Sequence, residues 1–396
     1  MTEDTNSIAA EMKHLEFLLS ECVRLDASDL HLSPGVAPHL RIHGDLAPCE
    51  SECELLKPAQ SEAMVAALAS YTGSTAAIFM ERMERKGSID GALSARDGTR
   101  FRFNVFRRQT QMVIVLRRLE DTFRSLTELG FPESLYALCE LRDGLVIVSG
   151  PTGAGKSTTL ATLIDRINRT RPCHIVTLED PIEYVHRPIK SIVNQRQIGL
   201  DAPSFNDALV ASMRQDPDVV LLGEIRDLDT IRTAIVAAET GHLVFATLHA
   251  GDCVGAIERL VSVFPANEQE GIRRQLALVL KAVISQHLLP AAAPSNEKAA
   301  RHTRVAASEV LMVSPAVSNL IGTAKSAQIY SLMETGHTGG MQTFEQDLAR
   351  LWVAGRITEA VAVATARNVN VLRSRVALLR KRAAGAWEQP VTGSAQ

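Results

Sequence analysis

The residues most able to do chemistry lie near the middle of the chain, where VSGPTGAGKST places Gly150, Pro151, Thr152, Gly153, Ala154, Gly155, Lys156, Ser157 and Thr158 in sequence. Glycines at this spacing let successive backbone N–H groups curl around a phosphate, and the helix that follows offers its positive end. Lys156 is placed to reach the β- and γ-phosphate oxygens, and the Ser157 hydroxyl to bind Mg²⁺. The spacing points to ATP held with Mg²⁺. It leaves open what the nucleotide does work on.

Three further segments carry carboxylates and histidines to the ends of apolar runs. In residues 178–183, LEDPIE, the acids Glu179, Asp180 and Glu183 follow the run HIVTL and are expected near the metal or the attacking water. A solvated acidic turn explains the same letters. In residues 216–227, DPDVVLLGEIRD, an apolar run ends at Gly223 and Glu224, a placement that suits a group polarising water for phosphoryl transfer. Metal ligation is expected from Ser157, Glu179 and Glu224. In TGHLVFATLHA, His242 and His249 flank one run. His249 is expected to sense the γ-phosphate, whereas His242 fits a packed or capping role.

The elements that must position these groups follow from periodicity. LVIVS, HIVTLED, DVVLLGE and HLVFATLH are continuous apolar runs separated by helical stretches, the pattern of a parallel sheet buried on both faces. Residues 271–383 read as mostly helical, with a surface loop at AAAPSNEKAARHT and a disordered tail over 384–396. Before the nucleotide region, residues 8–25 carry Leu15, Leu18, Leu19 and Cys22 at helical spacing. Short alternating segments up to residue 119 then read as a small antiparallel sheet with flanking helices. The expected division is a first domain over 1–119, a linker over 120–126 and an ATPase domain over 127–383.

Composition narrows the task. A net charge of -3 and 4% aromatic residues give no support to a nucleic-acid motor, which needs clustered cations and stacking surfaces. The six cysteines are scattered, with a single CxxxC at Cys49 and Cys53, so a tetrahedral zinc site lacks its other ligands. The polar N-terminus carries no secretory signal and no apolar run is long enough to span a bilayer, so a cytoplasmic protein is expected. RNVNVLRSRVALLRKR near the C-terminus carries six basic residues, by default a solvated face and alternatively a contact with acidic headgroups or a membrane protein.

Taken in order, GPTGAGKST, LEDPIE, DPDVVLLGEIRD and AAETGHLVFATLH, with DASDLHLSPGVAPHLRIHGDL before them and GMQTFEQDLARLWVAGRIT after, resemble the secretion and pilus ATPase superfamily (GspE/PulE), and within it the PilT/PilU-like motors of type IV pili. The resemblance implies an α/β protein: an N-terminal PAS-like α+β domain, then a RecA-like P-loop domain with a parallel sheet and helical C-terminal region. It implies a homo-hexamer in which Arg102 and Arg117 reach a neighbour's triphosphate while Glu224 serves as catalytic base. The implied partners are an inner-membrane pilus platform protein and a possible second pilus ATPase, with peripheral association at the inner membrane. Retraction is the implied direction, since the longer N-terminal region and tetracysteine insertion of extension and type II secretion ATPases do not occur. One departure stands at residues 316–323: AVSNLIGT replaces the AIRNLIRE-like segment of retraction ATPases, putting Ser318 and Gly322 where that segment has arginines. An accessory retraction motor, or an ATPase for secretion or pilus assembly, is the alternative.

Overall fold

The computed structural model describes residues 2–42, 44–71, 76–119, 122–292, 304–336 and 339–385. They fall into two compact units: one formed by 1–122 with 181–185, the other by 123–180 with 186–396.

The first unit contains α1 (Thr2–Arg24), β1 (Ala27–Leu32), β2 (His39–Ile42), β3 (Asp45–Pro48), α2 (Pro58–Tyr71), α3 (Ala76–Lys86), β4 (Ser88–Ser94), β5 (Arg100–Arg108) and β6 (Gln111–Arg118). Its six strands form an antiparallel sheet in the order β3-β2-β1-β6-β5-β4. Leu15, Leu18, Leu19 and Cys22 all face inward from α1, as their helical spacing requires, and meet Phe101, Phe103 and Val105 of β5 in one core. Alternation along β5 is the reason: its odd-numbered residues 101, 103 and 105 are fully buried while the even ones between them are only partly so.

The second unit begins with α4 (Leu126–Leu129) and a 3₁₀ turn at Glu133–Glu140, then β7 (Gly144–Ser149), α5 (Lys156–Thr170), β8 (His174–Glu179), β9 (Ile192–Gln197), α6 (Phe205–Ser212), β10 (Val219–Leu222), α7 (Leu228–Glu239) and β11 (Leu243–Leu248). It continues through α8 (Cys253–Ser262), α9 (Gln269–Val279), β12 (Leu280–Pro290), β13 (Arg304–Met312), α10 (Pro315–Gly322), α11 (Ile329–Thr335), α12 (Phe344–Val353), α13 (Glu359–Thr365) and α14 (Val369–Gly385). The seven strands are ordered β13-β12-β7-β11-β10-β8-β9.

Every residue of β7, β10 and β11 is buried, because both sheet faces are covered. Val146, Val148, Val219, Leu221, Leu243 and Phe245 pack against α5, while their strand neighbours Leu145, Ile147, Val220, Leu222, Val244 and Ala246 pack with α7 and α8. Period-two alternation thus feeds two cores from strands that read as unbroken apolar runs.

The sheet is mixed, which corrects the expectation of a purely parallel sheet followed by helices. The run LALVLKAVISQHLLP does not stay helical: α9 stops at Val279, and Leu280 turns to extended backbone with φ -69° and ψ 123°. The chain then runs parallel to β7 as β12 and returns antiparallel as β13. Burial explains the switch, since residues 282–286 are all buried and a helix could hide only one stripe of them. The polar edge strand β9, IVNQRQ, also lies outside the four expected runs. Beyond β13, α12–α14 close a separate core over Leu289, Val305 and Ala307.

The loop expected at AAAPSNEKAARHT, from residue 293 onward, lies outside the described residues, as does the tail from residue 386; residues 384–385, placed in that tail, are helical. All six cysteines are free thiols. Among the described residues no helix is long and apolar enough to cross a membrane.

Phe245 sits at 0% exposure in the central strand, whereas Leu278 is 74% exposed on α9. Phe245→Ala is expected to destabilise the second unit by about 3–5 kcal/mol, and Leu278→Ala by less than about 0.5 kcal/mol, as read by urea unfolding of the two variants beside the wild type.

Candidate functional site

Because β7, β8, β10 and β11 run parallel, their C-terminal ends open on the same edge. The phosphate-type loop, Glu179, Glu224 and His249 all lie at those ends, whereas His242 precedes β11. β7 delivers the phosphate-type loop, which turns through a hydrogen bond from Ala154 N–H to the Pro151 carbonyl at 3.2 Å. Gly155 caps α5 without a side chain, so the first N–H groups of the helix stay open to an anion. Lys156 Nζ donates back to the carbonyls of Gly150 at 3.0 Å and Pro151 at 3.1 Å, which holds its ammonium inside the loop's own curve. These features fit a bound polyphosphate.

Glu224 follows β10 and His249 follows β11. His249 Nε2 lies 3.2 Å from Glu224 Oε1, and Arg226 Nη2 donates to Glu224 Oε2 at 2.6 Å. Both carboxylate oxygens are therefore engaged. Burial pushes the Glu224 carboxyl up, but the Arg226 guanidinium, His249 and Lys156 outweigh it and hold it below the usual carboxylate range. Glu224 is ionised at neutral pH.

Glu179 closes β8. Its Oε1 accepts from the Thr177 hydroxyl at 2.6 Å and from Gln195 Nε2 on β9 at 3.1 Å. Gly223 lets the two acidic strand ends approach: a β-carbon there would sit 3.2 Å from the Leu178 carbonyl and 3.3 Å from the Glu179 Cα. His242 serves the end of α7, with Nδ1 3.0 Å from the Ala237 carbonyl, which is the capping role.

The loop after His249 is fastened from the C-terminal layer. The Gly251 carbonyl accepts from Arg367 Nη2 at 2.6 Å and from His287 Nε2 at 3.2 Å, and Arg367 Nη1 donates to Glu309, which is 1% exposed. Of the basic residues near the C-terminus, Arg367 is engaged within the unit with Glu309, Arg375 with Glu334 and Arg380 over the Trp352 ring.

Arg102 and Arg117 belong to the first unit, and Glu183 to the 181–185 segment grouped with it. Register places Arg41, Asp29, Arg117 and Arg102 on one rung across β2, β1, β6 and β5. Asp29, only 4% exposed, accepts from Arg117 Nε at 2.7 Å and lies 3.9 Å from Arg41 Nε. Arg102 has a long contact of 3.9 Å with Asp90. Two arginines directly opposite each other repel, so this rung carries more positive charge than Asp29 balances. Asp29, Arg41, Thr177, Gln195 and Arg226 were not singled out in the sequence. The alternation of DASDLHL, which sets Asp29 on the face opposite Leu30 and Leu32, is the signal that could have found Asp29.

The family model described as "Type II/IV secretion system protein" matches residues 4–355. The chain belongs to that family. Among its relatives are the type IV pilus retraction ATPase PilT of Pseudomonas aeruginosa, 40% identical over 346 residues with 86% of this chain and 94% of PilT covered, and the type IV pilus ATPase PilU of the same organism, 38% identical over 363 residues with 92% and 91% covered. A crystal structure of the pilus retraction motor PilT with bound ADP superposes with a TM-score of 0.81 at 40% identity, covering 91% of this chain and 98% of that one. This secretion-family chain is therefore a close relative of PilT and PilU, and its second unit is a RecA-like ATPase core around a mixed sheet.

Behind Glu179, the backbone N–H of His186 donates to Gln195 Oε1 at 2.8 Å, and the His186 ring stacks on Phe123 at 4.7 Å. Burial pushes the His186 imidazole down to about 4. The unfolded chain, at the ordinary 6.5, binds this proton first, so stability is full above pH 6.5 and falls as pH drops from 6.5 to 4. The loss attributable to His186 reaches about 3 kcal/mol at pH 4. Urea titrations of wild type and His186→Gln across that window are expected to show a steeper loss of stability in the wild type, the difference between the two being the His186 contribution.

Proposed function

We propose that the protein is an ATP-hydrolysing motor that powers type IV pilus retraction. The observation that carries this reading is the Glu224–His249 pair set at neighbouring strand ends on the edge where the Lys156 loop opens, in a chain related over most of its length to retraction ATPases.

Gly150, Pro151, Thr152, Gly153, Ala154, Gly155, Ser157 and Thr158 form the cradle for the triphosphate, and Lys156 exchanges its loop carbonyls for phosphate oxygens. Glu224, ionised and held on both oxygens, orients water rather than storing a proton for long. His249 links that carboxylate to the γ-phosphate position, and Glu179, fixed by Thr177 and Gln195, completes the acidic side. Mg²⁺ would be held by Ser157 with Glu179 and would neutralise phosphate charge; the engagement of both Glu224 oxygens argues for a water-side role for that residue. Glu183 is assigned to the acidic box by its motif alone.

The working form is a homo-hexamer. The first unit, read as PAS-like, offers Arg102 and Arg117 to a neighbour's triphosphate, and the excess charge of their rung supports that use. The ring acts on an inner-membrane platform protein from the cytoplasmic side. A second reading, an accessory motor beside another pilus ATPase, is favoured by α10. There the Ser318 hydroxyl donates to the Ala277 carbonyl and a β-carbon on Gly322 would lie 3.6 Å from the Ala277 side chain, so the positions that carry arginines in AIRNLIRE-like segments face α9 at close range.

Two experiments test this. In purified rings, Lys156→Ala is expected to abolish ATP turnover, and Arg102→Ala to lower it by about a thousandfold or more; normal turnover by an assembled Arg102→Ala ring overturns the trans assignment. In a deletion strain, excess surface pili with lost surface motility, rescued by wild type and not by Glu224→Gln, is the retraction outcome. Absent pili would identify an assembly motor, and normal pili with weakened pulling an accessory one.

A further inference from the structure

Strand β12 runs beside β7 and carries Gln286, 1% exposed, against the phosphate loop. Its side-chain Nε2 donates to the Ala154 carbonyl at 2.7 Å, and its Oε1 accepts from the Thr159 hydroxyl at 2.9 Å. A carbonyl oxygen only accepts, so the amide must turn its nitrogen to Ala154 and its oxygen to Thr159. Ala154 lies in the loop and Thr159 in the first turn of α5, so one side chain clamps the loop to its helix. The backbone of the same residue meets the other end of the loop: a β-carbon on Gly150 would lie 2.3 Å from the Gln286 carbonyl oxygen.

We propose that Gln286 is a positioning residue for the nucleotide, holding the loop in its phosphate-ready curve from a neighbouring strand. The proposal rests on the reading of this loop as an ATP site. Lys156 ties the first half of the loop, at Gly150 and Pro151. Ala154 depends on Gln286 for its carbonyl contact, and without it the loop must be ordered when nucleotide arrives. That ordering is needed equally for substrate and transition state, so its loss raises KM and leaves kcat nearly unchanged.

The test uses the full-length protein, with KM for ATP and Kd for a fluorescent ADP analogue measured for wild type, Gln286→Ala and Gln286→Glu, beside circular dichroism and unfolding midpoints. Gln286→Ala is expected to fold, with KM and Kd raised about tenfold and kcat within about twofold. In Gln286→Glu the ionised carboxylate cannot donate to Ala154, whereas the protonated acid can. The ratio of its KM to that of wild type should therefore fall as pH is lowered from about 8.5 to 6, an effect that a purely structural role would not produce. A folded Gln286→Ala with wild-type KM and Kd overturns the assignment. Should that variant not fold, a pH-independent ratio for Gln286→Glu overturns it instead. A wild type that binds no nucleotide overturns the ATP reading itself, and this assignment with it.

Discussion

Burial of a parallel sheet on both faces is the constraint from which the site follows. Strands β7, β8, β10 and β11 can bury both faces only if helices return each chain segment to the same starting edge, so their C-terminal ends must emerge together. The loop, Glu179, Glu224 and His249 come from segments separated by tens of residues, and they need no other device to reach one edge. Packing energy thereby builds the site's geometry, and the polar side chains have only to refine it.

The refinement is electrostatic and local. Glu224 is partly buried, a location that disfavours its charge, and its two partners more than restore it. Glu179 accepts from Thr177 on its own strand and from Gln195 on β9, donors drawn from the sheet itself. In the first unit the balance is reversed: Asp29 serves Arg117 and Arg41 but leaves a surplus of positive charge on its rung. Such a surplus is tolerated because β5 and β6 are fixed by their buried faces, with Phe101, Phe103, Ile114 and Leu116 in the core beneath.

Much of this was legible in the sequence because it is written in short words. GPTGAGKS states its turn and helix start in eight letters, and four continuous apolar runs announce doubly covered strands. The amphipathic spacing of Leu15, Leu18, Leu19 and Cys22 gave the orientation of α1 directly. What escaped depends on contacts between distant segments. LALVLKAVISQHLLP has apolar residues compatible with either period, and only its place beside β7 decides for a strand. IVNQRQ is polar because it is an edge, so it lacks the apolar signal of an inner strand. Gln286 meets Ala154 across 132 residues and Asp29 meets Arg117 across 88, partnerships that no local pattern encodes.

The Arg367 contact carries a consequence for how small a working version of this protein can be. Glu309 is buried at 1% exposure, with Arg367 as its cationic partner, and the same guanidinium steadies Gly251 two residues after His249. Cutting the chain before Arg367 would strand a carboxylate in the interior, the kind of change that costs several kcal/mol, and would slacken the histidine loop as well. The catalytic motifs end at His249, yet a self-sufficient ATPase must run more than a hundred residues further, through Arg367 at the threshold of α14.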